Sequence, residues 1–197
     1  METIFFGLLF IFLRINISFI DLGIIYYLSN ALGYCLILVG ISRLEITYQK
    51  LSKLKPLIIV MIFHSVIFFI LNLTNYSPLM MPLSSTIDTF IAISGLVIVI
   101  VGMIIVYYII HFLIETLKDE SSLFLKLRTL EQLNNVMTFV FIISGILFFF
   151  TYFPMLAGIS IIVMLALNGY FLYYFYSNFV IDKWIRLAIE SLIWQKW

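Results

Sequence analysis

The sequence predicts an all-α protein, a polytopic transmembrane helix bundle of about six spans with both termini cytoplasmic. Three observations carry that expectation. Of the 197 residues, 64% are hydrophobic and only 11% charged. The apolar residues fall in runs long enough to cross a bilayer, and the basic residues occupy alternate connections between those runs. A soluble domain is about 45–50% apolar and ~25% charged, so a mean hydropathy of +1.18 makes lipid the solvent for folding. Crossing ~30 Å of hydrocarbon as a helix takes about 17–25 predominantly apolar residues. Runs of that length consume most of the chain, and residues 1–197 read as a single transmembrane domain.

The first run covers about 4–20 and is interrupted by Arg14. Its start, METIFFGLLFIFL, lacks the basic region and small-residue cleavage site of a secretory signal and is expected to remain as a span. Asp21-Leu22-Gly23 separates it from the second run, about 23–42, so a tight turn and a pair of broken helices both fit this hairpin. Cys35, the single cysteine, stands inside the second run and is expected to be a buried, unreactive thiol. The third run covers 56–73, the fourth 87–114, the fifth 136–153 and the sixth 155–181. Gly33 and Gly40 are seven residues apart, as are Gly95 and Gly102; each pair lies near one helix face, where small residues let helices approach closely.

Two connections carry helical patterns of their own. Before the fifth run, Leu123, Leu127 and Leu130 recur at helical spacing while Lys126, Arg128 and Glu131 fall elsewhere, so residues 121–134 are expected to lie in the headgroup plane. In the tail, 183–197, Arg186 and Glu190 continue a charged row from Asp182, opposite Ile185, Ile189 and Leu192. Trp184, Trp194 and Trp197 suit the interface. A partner-binding helix is the alternative reading of this tail.

Orientation follows from Lys and Arg, which are retained on the cytoplasmic side of short loops. Ten of the eleven basic residues lie in alternate connections: Arg43, Lys50, Lys53 and Lys55; Lys118, Lys126 and Arg128; Lys183, Arg186 and Lys196. Arg14 is the exception. The outer linkers NLTNYSPLMMPLSST and TYFP hold no basic residue. A net charge of +1 offers no basic field for nucleic acid.

Residues 5–44, FFGLLFIFLRINISFIDLGIIYYLSNALGYCLILVGISRL, carry Ile20-Asp21-Leu22, then Leu32-Gly33-Tyr34, an apolar run and Gly40-Ile41. This stretch resembles the start of an uncharacterised family of small multi-spanning membrane proteins from clostridia and bacilli. Where that family commonly has a Pro-Asp pair after the first motif, this chain has Tyr27, Leu28 and Ser29. The resemblance implies a bacterial membrane location and no catalytic activity.

A charged side chain at the centre of a spanning helix costs at least about 2.5–3.5 kcal/mol on insertion scales, so each intramembrane polar group is a candidate for function. Arg14, Asp21 and Asp88 form an expected outer charged cluster, read either as an outward-facing site for a charged solute or as a structural ion pair snorkelling to the headgroups. His64 is either a proton relay or a neutral imidazole bonded across helices. Toward the inner side, Tyr108, His111 and Glu115 share a face of the fourth run, where His111 and Glu115 are spaced to pair. On the sixth, Tyr170, Tyr173, Tyr174, Ser177 and Asn178 form a polar stripe beneath Asn168, while Phe171, Phe175 and Phe179 take another face. These stripes are expected to line one cytoplasm-facing ligand cavity, with an aromatic belt at the inner interface as the alternative.

Two histidines on different runs and a lone cysteine give no metal-ligand spacing, and neither phosphate-binding nor hydrolase motifs are present. No cofactor is implied. Asn72-Leu73-Thr74 and Asn75-Tyr76-Ser77 match glycosylation sequons in a predicted outer loop. The expected function is non-enzymatic: a small transporter or membrane subunit of a transport complex in the cell membrane. The alternative is an assembly, regulatory or immunity partner of another membrane protein, and a lipid-acting enzyme comes third.

Overall fold

The computed structural model describes residues 1–12, 23–74, 86–118, 124–149 and 154–181. They form α1 (Glu2–Phe12), α2 (Gly23–Leu44), a 3₁₀ turn (Gln49–Leu54), α3 (Lys55–Leu73), α4 (Thr86–Lys118), α5 (Phe124–Phe149) and α6 (Pro154–Phe175), which runs on into a π-helical turn, Tyr176–Ile181. Prolines open two of the helices, Pro56 in the first turn of α3 and Pro154 at the first position of α6, where a missing N–H leaves no bond unmade. Two hydroxyls of α5 are satisfied within their own helix. Thr138 donates to the Asn134 carbonyl at 2.8 Å and Ser144 to Val140 at 2.7 Å, which shields hydroxyls from a solvent that has no partner to offer.

Four segments are long and apolar enough to cross a membrane: Ile25–Leu44, Gln49–Leu73, Thr89–Lys118 and Gly158–Ile181. The other two expected spans do not meet that test over the described residues. Helix α1 is described over 11 residues, about 16 Å at 1.5 Å per residue, and the rest of the expected first span lies outside the described residues. Helix α5 is 26 residues long, but Lys126, Arg128 and Glu131 occupy its first turns.

The expected surface helix before the fifth span is not a separate element. Residues from Phe124 onward are continuous with α5, and Leu127 and Leu130 are 1% and 0% exposed. Their apolar stripe finds protein rather than headgroups, because α4 and α6 stand against it. The tail 183–197 lies outside the described residues.

Neighbouring helices alternate in direction. Ile4 lies opposite Gly40, and Gly7 opposite Gly33 and Ile37, so α1 runs antiparallel to α2. A Cβ on Gly7 would stand 2.6 Å from the Gly33 carbonyl oxygen, and one on Gly33 would stand 2.7 Å from the Gly7 oxygen. The backbones touch there, as the glycine spacing on α2 anticipates. The other edge of α1 meets α6, with the Phe5 and Tyr176 rings 4.9 Å apart and the Phe12 and Phe171 rings 6.0 Å apart, edge to face. An ion pair joins Lys55 to Glu45 across the α2–α3 connection. Lys118 and Glu131 pair at 2.9 Å between the end of α4 and the start of α5. The charged ends of these two hairpins are thereby tied, and the 3₁₀ turn seats Leu51 and Leu54, both fully buried, in the core they share with α4.

Candidate functional site

The C-terminal halves of α4 and α6, the N-terminal half of α5 and the end of α1 meet around Tyr107. This side chain is 2% exposed, with the Phe12 ring 6.5 Å and the Phe141 ring 5.8 Å from its own. Its hydroxyl donates to the Met164 sulfur on α6 at 3.9 Å, a soft acceptor that suits a phenol among apolar neighbours. Its carbonyl accepts from Asn134 Nδ2 on α5 at 3.2 Å. One residue of α4 therefore holds both arms of the α5/α6 hairpin. Asn134 and Asn168 are 2% and 6% exposed, and the Oδ1 atom of each accepts no hydrogen bond from the described residues. Such orphan acceptors are expensive at membrane depth.

The expected stripe on α6 divides around this hub. Asn168 faces inward, whereas Tyr170 and Tyr173 are 51% and 67% exposed. Tyr174 is half-buried against the core, and Asn178, also half-buried, donates to the Tyr174 carbonyl at 2.8 Å. The inward positions go to Phe171, Leu172 and Phe175, whose rings continue to Phe179 at 5.3 Å. Two physical causes divide the stripe. The phenylalanines fill the space against α1, and the π turn after Phe175 widens the spacing, so Ser177 and Asn178 do not extend the face set by Tyr170.

On α4, Tyr108 is 52% exposed, His111 is half-buried and Glu115 exposed; the ion pair at this end of the helix is instead Lys118–Glu131. Tyr108, Tyr170 and Tyr173 thus turn outward, whereas Tyr107 is buried and Tyr174 half-buried against the core. Of the outer cluster, Arg14 and Asp21 lie outside the described residues; Asp88 stands in the first turn of α4, with its side chain outside the description.

His64 rests on α4. A Cβ added to Gly102 would meet its ring at 3.1 Å, and the Phe68 ring lies 4.8 Å from the imidazole. It sits at one end of an apolar cleft of about 320 Å³ between α3 and α4, walled by Ile67, Phe68, Phe90, Ile91 and Gly95 among others. Cys35 corrects its expectation: the thiol is exposed, because Gly33, Tyr34 and Ile37 take the inward face of α2. Among the described residues, no three His, Cys, Asp or Glu side chains gather as a metal site would require.

The residues that sequence reasoning missed are Tyr107, Asn134 and Met164. The spacing of Leu127, Leu130, Asn134 and Met137 was the available signal, a core stripe with one amide in it.

Helices of this length and apolarity, packed with almost no polar interior, are those of an integral membrane protein. Compared with protein-family models, with curated proteins and with solved structures, the chain matches none.

Proposed function

We propose that this chain is a non-enzymatic membrane subunit that binds another membrane protein through Tyr108 of α4 and Tyr170 and Tyr173 of α6. The observation that carries the reading is the outward placement of Tyr170 and Tyr173, exposed at 51% and 67%, while phenylalanines close the interior beside them. Tyrosine offers a large ring and a hydroxyl at small entropic cost, which is why it is enriched where proteins meet. In this reading six helices cross the cell membrane and both termini are cytoplasmic. The alternating directions of the helices support that topology, as do Arg43, Lys50, Lys53, Lys118, Lys126 and Arg128 at the connections expected inside. The likeness of residues 5–44 to bacterial membrane proteins supports a bacterial cell membrane.

The test is purification from membranes in a mild detergent. The wild-type chain brings down a stoichiometric membrane protein, and Tyr170→Leu with Tyr173→Leu loses it while still inserting. A solitary particle whose melting temperature rises with a particular solute overturns the reading in favour of transport. Transport is the second reading, and Asn168, the one member of the stripe turned fully inward, is what favours it. In that case Asn168→Leu abolishes solute uptake or export in cells that express it normally.

A further inference from the structure

The connection between α2 and α3 stays at the membrane surface. One segment able to cross the membrane ends at Leu44 and the next begins at Gln49, and the four residues between them fold back on the helix they leave. The Glu45 N–H donates to the Ile41 carbonyl at 2.8 Å, and the Leu44 carbonyl accepts from Thr47 at 3.0 Å and from Tyr48 at 2.8 Å. This closed turn holds Ile46 outward. At 87% it is the most exposed large apolar side chain among the described residues. Exposed apolar side chains within a span meet hydrocarbon, but Ile46 lies beyond the spans, where the acyl carbons just beneath the headgroups are the nearest apolar cover.

Cations stand around it. Between 43 and 55 the chain has four basic residues and one acid, and that acid, Glu45, is paired with Lys55. Arg43, Lys50 and Lys53 are exposed. The 3₁₀ turn sorts its side chains by threes, because positions i and i+3 eclipse. Leu51 and Leu54 are 0% and 1% exposed, so Lys50 and Lys53, each one residue earlier, share an adjoining outer edge. The core seats the turn, and the turn presents the two lysines together.

We infer that this connection binds an anionic phospholipid, with Ile46 among its upper acyl carbons and Arg43, Lys50 and Lys53 about its headgroup phosphate. Two independent features select that ligand. A free anion would use the cations but leave Ile46 in water. A zwitterionic lipid would cover Ile46 but gain less from three cations. An anionic lipid uses both, in the way basic segments beside a span attract such headgroups. The lipid belongs to the inner leaflet in the topology proposed above. The site does not involve Tyr108, Tyr170 or Tyr173, so it stands or falls apart from the partner reading.

The test is native mass spectrometry of the full chain in mild detergent, titrated with phosphatidylglycerol or with phosphatidylcholine. Phosphatidylglycerol binds more tightly, and Arg43→Gln, Lys50→Gln and Lys53→Gln each lower its association constant about fivefold, the equivalent of ~1 kcal/mol per basic residue at an anionic surface. Excess glycerol phosphate, a headgroup phosphate without acyl chains, does not displace it. Because basic residues also direct insertion, a second measurement keeps every charge. With Cys35→Ser and a nitroxide on Ile46→Cys, in phosphatidylglycerol vesicles, collisions with oxygen exceed those with a water-soluble nickel chelate, as they do below the phosphates. Equal affinity for the two lipids, affinity unchanged in all three variants, displacement by glycerol phosphate, or a nitroxide open to the chelate each overturns the inference.

Discussion

At Gly33 an added side chain meets the Gly7 carbonyl together with Ile11 and Phe10, and backbone cannot yield as a flexible side chain can. Gly33→Val therefore pushes α1 off α2, at a cost of about 1–3 kcal/mol or more from overpacking. The expected outcome is a lower detergent-unfolding midpoint with α1 newly open to proteolysis. Gly169 is the control for this argument. A Cβ there meets nothing within 4 Å, so Gly169→Ala relieves the entropic penalty of a helical glycine and raises stability by about 0.5–1 kcal/mol. A fall in melting temperature instead would show that this surface is occupied. Gly102 lies between these cases, facing the His64 ring; Gly102→Val displaces the imidazole and loosens α3 from α4.

Among the elements, α5 departs furthest from its sequence-based reading. Lys126, Arg128 and Glu131 around Leu127 and Leu130 suggested a helix lying on the membrane, yet both leucines are in the core and the helix is unbroken. Leu130→Ala is expected to cost about 2–5 kcal/mol, the range for a buried leucine. Leu125→Ala, at a position 75% exposed, changes stability little. Equal small effects at both positions would return this segment to the headgroup plane. The extent of α6 was legible, since the sixth apolar run ends where the π turn ends, but the turn itself was not. Nothing in Tyr176–Ile181 announces a wider helix, and the change of spacing it brings takes Ser177 and Asn178 off the face set by Tyr170.

For the whole molecule, alternating helix direction and alternating basic connections make one testable statement about topology. With Cys35 replaced, single cysteines at Lys53 and Arg128 react with an impermeant maleimide only after the membrane is opened. A cysteine in the linker 75–85 reacts from outside. Labelling of position 53 or 128 in intact cells overturns the six-span arrangement with cytoplasmic termini.

The sequence by itself determined the solvent, the helical class and the approximate place of most helices, because hydropathy and chain length answer directly to the thickness of hydrocarbon. It also marked Gly33 and Gly40 as a contact face. Which side of each helix turns inward was decided only by the tertiary structure. In water a buried face is apolar and an exposed face polar, so pattern reveals orientation; in lipid both faces are apolar, and packing shape chooses between them. That is why Tyr170 and Phe171, adjacent in sequence and both aromatic, lie one outward and one inward. It is also why Asn134, one amide in a stripe of leucine and methionine, became visible as part of a site only once the Tyr107 carbonyl stood against it.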